Sequence, residues 1–213
     1  MIIFVVCQSW VESLASPNSE IDFDSPVIAI LDACTLVPSS VRDVLLRCAA
    51  AEFFQVRWGP TILEEVRRTL SQRIAINDAS IDRLFSALTQ AFPDAMAQSG
   101  RPAPPDLIID PEDSHVVEAA LAGNANVIVT RNVRHFVVDQ LQHAGIQLRT
   151  PDQFLVELFD QFPQELLEVI AIRAADLHDS RTETLEFLRQ HMPEFVRRIE
   201  TDYPNWLDGI SDQ

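Results

Sequence analysis

Five short apolar runs punctuate the first 150 residues: VIAIL (27–31), FFQVRW (53–58), LII (107–109), VIVT (127–130) and IQL (146–148). Their spacing constrains the fold more than any other feature. VIAIL, entered through Pro26, is a continuous apolar run of the kind that a parallel strand buried on both faces needs. Between the runs, apolar residues recur at helical spacing. Val41, Val44, Leu45, Cys48 and Ala49 form one stripe in 39–51, behind serines suited to an N-cap. Gly59, Pro60 and Thr61 open a helix to about residue 72 with Ile62, Leu63, Val66 and Leu70 inward. A further stripe, Ile81, Leu84, Phe85, Leu88 and Phe92, predicts a helix over 79–92, and GRPAPPD (100–106) then breaks the pattern as an exposed loop. A helix from Pro111 to Leu121 and another around 134–143, ended near Gly123 and Gly145, complete the alternation.

Strands alternating with helices predict an α/β fold: three layers, α/β/α, around a central parallel sheet. From Pro151 onward the pattern is purely helical, over 151–161, 163–176, 180–190 and 193–201. The chain therefore divides into an N-terminal extension (1–26), an α/β domain (27–154) and an acidic helical C-terminal region (155–213). Neither an internal repeat nor a low-complexity tract interrupts it. MIIFVV at the start lacks a basic flank and is far short of the roughly 18 apolar residues of a span, so neither a signal peptide nor a membrane anchor is expected. Cys7, Cys34 and Cys48 are scattered, with no CxxC spacing, which fits a reducing cytoplasm.

Charge narrows the function. The formal net charge of −16 disfavours sequence-blind binding to a polyanionic backbone. Its distribution is uneven, however. Residues 1–26 carry four acids and no base, 27–150 carry 14 acids and 11 arginines, and 151–213 carry 14 acids and five arginines. If a metal neutralises four or five acids of the middle segment, its surface becomes close to neutral and arginine-rich, and nucleic acid is again admissible. All 16 basic residues are arginine. The absence of lysine excludes a P-loop, a Schiff base and a lysine general base.

Acids stand where strands end and helices begin. Asp32 follows VIAIL, Glu64 and Glu65 lie in the helix after the second strand, and Asp110, Glu112 and Asp113 separate LII from the next helix. Asn132 offers a further oxygen after VIVT. Loops at the carboxyl ends of parallel strands converge on one edge, the usual ligand site of such sheets. Carboxylates brought together there repel, and a divalent cation neutralises them; oxygen ligands favour Mg²⁺ or Mn²⁺ over zinc. Taken singly, Glu112 and Asp113 also suit a helix N-terminus, and Glu64 and Glu65 a solvated helix face. Asp32, at the end of a buried strand, must find a partner.

The motifs ILDACTL, WGPTILEEVRRTL, DPEDSHVVEAALA and VIVTRNVRHF, with GIQLRTPDQFL as a final strand and helix, together resemble the PIN-domain family of nucleases. The resemblance runs over about residues 27–154 and is greatest to the VapC-type toxins of bacterial toxin-antitoxin pairs, in a branch with a helical C-terminal extension. It implies Asp32, Glu65 and Asp113 as metal-binding acids. Glu65 is preferred over Glu64 because the family's glutamate directly precedes an apolar helix residue, here Val66. Asn132 stands where many members carry aspartate, and His135 where another acid often precedes the phenylalanine, here Phe136. An amide oxygen can ligate Mg²⁺ but cannot act as a general base.

The activity implied is endonucleolytic cleavage of RNA through a metal-activated water, with Mg²⁺ or Mn²⁺ as cofactor and Asp32, Glu65, Asp113 and Asn132 as the catalytic set. Thr35 and Thr130 have hydroxyls for water or phosphate, and Arg131 and Arg134 can clamp phosphate; His115 and His135 are further contacts. Single-stranded RNA is the expected substrate class. The expected partners are a small antitoxin, docked on the helices of 60–92, and a second copy of the chain in a homodimer, without a membrane. Two rivals stand beside this reading. A haloacid-dehalogenase-type phosphatase wants an aspartate at the position of Cys34 and a lysine that the chain lacks. A catalytically weakened PIN protein that binds RNA or a protein without cutting is motivated by Asn132 and the acidic net charge.

Overall fold

The computed structural model describes residues 20–98 and 102–208. The segment MIIFVV, Cys7 and most of the acidic leader therefore lie outside the described residues, as do Gly100 and Arg101 of the proline-rich loop. Four parallel strands, β1 (Ile28–Leu31), β2 (Gln55–Arg57), β3 (Val127–Val129) and β4 (Gln147–Arg149), form one sheet in the order β2-β1-β3-β4. The two central strands are the apolar ones: Ala29, Ile30 and Leu31 of β1 and all of β3 are buried. Edge strands β2 and β4 begin with glutamines, which tolerate the partial solvation of an edge.

Helices α1 (Ala33–Leu36) and α2 (Ser39–Ala50) follow β1; α3 (Pro60–Gln72) and α4 (Asp78–Ala91) follow β2. Next come α5 (Ser114–Ala122) before β3 and α6 (Val138–His143) before β4. Right-handed crossovers send α2 to one face of the sheet and α5 with α6 to the other, which gives the three layers expected. Helix α3 packs on α1 and α5. Gly59, its N-cap, makes this possible: a Cβ there would lie 3.0 Å from the Ala119 Cβ of α5.

LII departs from the expected strand. Leu107 ends a 3-10 turn, Pro105–Leu107, and Ile108 makes a single antiparallel bridge to Phe136, while Ile109 is exposed. The physical reason lies in the backbone. Pro104 and Pro105 donate no ladder bonds, and the amides of Ile109 and Asp110 both go to the His135 carbonyl, with Val137 N–H donating to Leu107 O. The segment is thereby lashed to the loop after β3 instead of the sheet. The helices expected over 111–121 and 134–143 likewise each begin as 3-10 turns, Pro111–Asp113 and Val133–His135, before α5 and α6.

The helical C-terminal region comprises α7 (Pro151–Gln161), α8 (Pro163–Leu177), α9 (Arg181–Arg189) and α10 (Pro193–Asp202). Capping boxes at Thr150/Gln153 and Ser180/Glu183 start α7 and α9. These helices share the apolar core of the sheet: Phe154 meets Phe54 edge-on at 5.0 Å, and Phe159 meets Phe195 at 5.8 Å. The Asp152 carboxylate accepts from the amides of Glu194 and Phe195, so α7 caps α10. Ile21 is buried, and its amide donates to Glu157 of α7. Among the described residues no helix is long and apolar enough to cross a membrane.

Candidate active site

The parallel register builds the site. Leu31 pairs with Val129, and the ladder runs one residue further, with Asp32 N–H donating to Val129 O and Thr130 N–H to Arg149 O. Asp32 and Thr130 therefore leave the two central strands side by side at the carboxyl edge. The Thr130 hydroxyl donates to Asp32 Oδ2 at 2.6 Å, the Cys34 thiol donates to the same oxygen at 3.0 Å, and Ala33 N–H donates to Oδ1 at 2.6 Å. Asp32 is 2% exposed. Burial pushes its carboxyl above the usual range, against the opposing pull of the three donors. Burial, and then the Asp32 charge, push the Cys34 thiol up to about 12. It is a hydrogen-bond donor here and not a nucleophile.

Two clusters of ligand-type side chains lie at this edge among the described residues: Asp32, Glu65 and His115, and Asp110, Asp113 and His135, each with its ligand atoms within 4.8 Å of one another. Helix α3 presents Glu65, and the N-terminal turn of α5 presents His115, across the close Gly59–Ala119 contact. His115 Nε2 lies 3.6 Å from Glu65 Oε2. That is an ion-pair distance, beyond a hydrogen bond. The imidazole beside it holds Glu65 below the usual carboxylate range, and the Glu65 carboxylate raises His115 in turn. In the second cluster Asp113 Oδ2 and His135 Nδ1 are 2.6 Å apart, with Asp110 at 3.7 Å from the same nitrogen.

A cavity of about 530 Å³ is lined by Glu65 and His115 of the first cluster and by all three residues of the second, with Glu64, Arg68 and Asn132 among others; Asp32 is buried and is not part of its wall. Of the residues expected from the sequence, Asp32 and Glu65 fall in one cluster, Glu64 is exposed at the cavity wall, and Asp113 lines the cavity while paired to His135. Asn132 N–H donates to Thr130 Oγ1, and its side chain lines the cavity. Thr130 and Thr35 are fully buried. Thr35 donates to Val129 O and ties α1 to the sheet, so its hydroxyl is closed to a substrate. Arg131 and Arg134 are exposed on the loop after β3.

The structure adds Cys34 and Arg68 to the site, sets Asp110, one of the acids read at the strand ends, beside Asp113 and His135, and promotes His115 from a contact to a partner of Asp32 and Glu65. The legible signal for His115 was its position three residues after Glu112, whose carbonyl meets His115 Nδ1 at 2.9 Å.

Comparison with known proteins agrees with this geometry. The PIN-domain family matches residues 24–134, more than half of the chain. The chain is 30% identical over 98 residues to a protein of Mycobacterium tuberculosis (strain ATCC 25618 / H37Rv) named "Putative ribonuclease VapC50". That match covers 44% of this chain and 57% of the relative. By its four-stranded parallel sheet, the carboxylates at its edge and the family match over residues 24–134, the chain belongs to the PIN-domain family.

Proposed function

We propose that this protein is a divalent-cation-dependent endoribonuclease that acts in the cytoplasm as the toxin of a VapBC-type toxin-antitoxin pair. The observation that carries the reading is Asp32: a buried carboxylate, fixed by three donors and clustered with Glu65 and His115, which themselves line an acidic cavity. Buried charge of this kind needs neutralising. A cation fits the residues present, because His115 Nε2 is a buried polar atom without a hydrogen-bond partner beside two carboxylates.

Asp32, Glu65 and the cavity carboxylate Asp113 would hold Mg²⁺ or Mn²⁺. When bound, such an ion lowers the pKa of water and offsets charge on the scissile phosphodiester. The protein's own groups do the rest. Thr130 and Cys34 hold the Asp32 carboxylate in one orientation. His135, whose Nδ1 is tied to Asp113, is held in one orientation on the cavity wall, beside an Asn132 amide that cannot act as a base. Arg131 and Arg134, which make no ion pair among the described residues, are available to clamp phosphate of single-stranded RNA, and Arg68 stands on the cavity wall.

An antitoxin would dock on α3 and α4 and deny RNA the cavity. Leu84 and Leu88 of α4, with Phe92 that caps it, also line an apolar groove of about 580 Å³ against α2, α8 and α9, a surface suited to such a partner or to a second copy of the chain. Cleavage of a mixed RNA pool with Mn²⁺, Mg²⁺ or EDTA tests the activity. Cutting by the wild type with either ion, reduced to the EDTA level by Asp32→Asn, is expected, and Asn132→Asp should raise it. Folded, antitoxin-free protein that binds RNA without cutting it under either ion would favour the binding-only PIN protein instead.

A further inference from the structure

We infer that His115 Nε2 is a direct ligand of the cation held by Asp32 and Glu65, which makes this a mixed oxygen and nitrogen site that favours Mn²⁺ over Mg²⁺. The inference rests on the proposed reading of the cavity as a divalent-cation site and names the ligand set of that site.

The tautomer is fixed by geometry. His115 Nδ1 lies 2.9 Å from the carbonyl oxygen of Glu112, which can only accept, so Nδ1 carries the proton. In the neutral ring Nε2 then bears a free lone pair. A backbone carbonyl on the distal nitrogen is the arrangement that orients metal-ligating histidines. Nε2 is buried without a hydrogen-bond partner and lies 3.6 Å from Glu65 Oε2, with a ligand atom of Asp32 in the same cluster. Two ligands that each sit ~2.1 Å from an ion are themselves ~3 to 3.5 Å apart, close to this separation.

The other histidines show that fixation alone does not make a ligand. His143 Nδ1 likewise meets a backbone carbonyl, that of Asp139, yet the ring is exposed and belongs to neither cluster. His135 has its Nδ1 tied to the Asp113 carboxylate, not to the main chain. His115 alone among the described histidines combines a main-chain tether with a buried, unpartnered nitrogen facing two carboxylates.

The ligand chemistry follows. Asp32 already accepts from Ala33, Cys34 and Thr130, which use three of the ~four lone-pair sites of a carboxylate. The amide of Asn132 contributes no charge. An imidazole nitrogen restores donor strength without adding charge; it is a ligand of transition ions more than of Mg²⁺, which keeps to oxygen, so it tilts the site away from Mg²⁺ toward Mn²⁺, the first of the transition series, and the later ions beyond it.

Electron spin-echo modulation of Mn²⁺ bound to the tag-free full chain tests this, with Mn²⁺ and Mg²⁺ affinities measured calorimetrically beside it. Nitrogen coupling from a coordinated imidazole is expected in the wild type and in His135→Gln, and is expected to vanish in His115→Gln. Outer-shell partners alone are worth about 10 to 100-fold in metal affinity. Mn²⁺ affinity of His115→Gln should accordingly fall by at least about tenfold, with Mg²⁺ affinity changing much less. Tight Mn²⁺ binding without nitrogen coupling, or coupling that survives His115→Gln, would overturn the ligand assignment while leaving the cation site standing. A folded wild type that binds neither ion would overturn both. The wild-type spectrum carries the test even if a variant fails to fold.

Discussion

At the scale of the residue, the site is held together by the conflict at Asp32. A carboxylate 2% exposed keeps its charge only through three donors, and burial still outweighs them, so that its pKa is raised. The sign for stability follows. An acid whose folded pKa lies above its ordinary 3.8 binds protons more readily folded than unfolded, so stability is lost as pH rises from 3.8 through the raised value. In EDTA at pH 7, Asp32→Asn should therefore be more stable than the wild type, with a higher Tm, and the gap should close towards pH 3.8. Added Mn²⁺ should reverse the order by stabilising only the wild type. Thermal melts over this range decide it, and an Asp32→Asn protein less stable than wild type in EDTA at pH 7 would show that the three donors outweigh the burial.

At the scale of the element, two small residues control the site from a distance. Gly59 and Ala119 let α3 approach α5, and this approach brings Glu65 to His115. Gly59→Val should push the helices apart, costing about 1–3 kcal/mol through overpacking and weakening cation binding. Gly59→Ala should show the same trend in small measure, and Ala119→Gly, which removes the opposing Cβ, should restore part of the loss. A double-mutant cycle on denaturation midpoint and Mn²⁺ affinity measures it, with a coupling of at least about 0.5 kcal/mol expected in stability. Independent, additive effects would show that the contact does not set the helix separation. The segment 107–110 acts similarly: by giving its amides to the His135 carbonyl, it delivers Asp110 and Asp113 to the loop that carries Asn132 and His135.

For the whole molecule, the described end of the leader, residues 20–26, and the C-terminal helices are part of one packing problem. Ile21 is buried, Phe23 meets Phe162 edge-on at 5.9 Å, and Glu157 receives both Ile21 N–H and the Arg149 side chain at the end of β4. Removing residues 1–23 should therefore cost about 2–4 kcal/mol from the two apolar side chains alone. Urea denaturation of the shortened and full chains checks this; equal stability would mean that residues 20–23 contribute nothing to the fold. Some acids of the C-terminal region pair with its own arginines, Arg198 with Asp160 and Asp202 and Arg189 with Glu200 among them, which ties α7 to α10 and α9 to α10. Exposed pairs of this kind contribute little energy each. The apolar core does more.

The sequence by itself determined the parallel sheet, because continuous apolar runs joined by amphipathic helices have few other ways to bury both faces. It also placed Asp32, since a carboxylate ending such a run must lie at the sheet's carboxyl edge. It put Glu64 or Glu65, the acids of 110–113 and Asn132 at strand ends, the resemblance to the PIN family singling out Glu65 and Asp113 among them, and its helical reading of 151–201 matched the structure to within a residue or two. Tertiary structure alone decided that LII pairs with a loop instead of the sheet, because prolines withhold ladder donors while a neighbouring carbonyl is free to accept. It alone decided that Thr35 faces inward, that Cys34 serves Asp32, and that Asp113 is claimed by His135 while His115 joins Asp32 and Glu65. These are relations between side chains far apart in sequence. They are fixed by strand register and by helix approach within a few tenths of an ångström, which local periodicity does not encode.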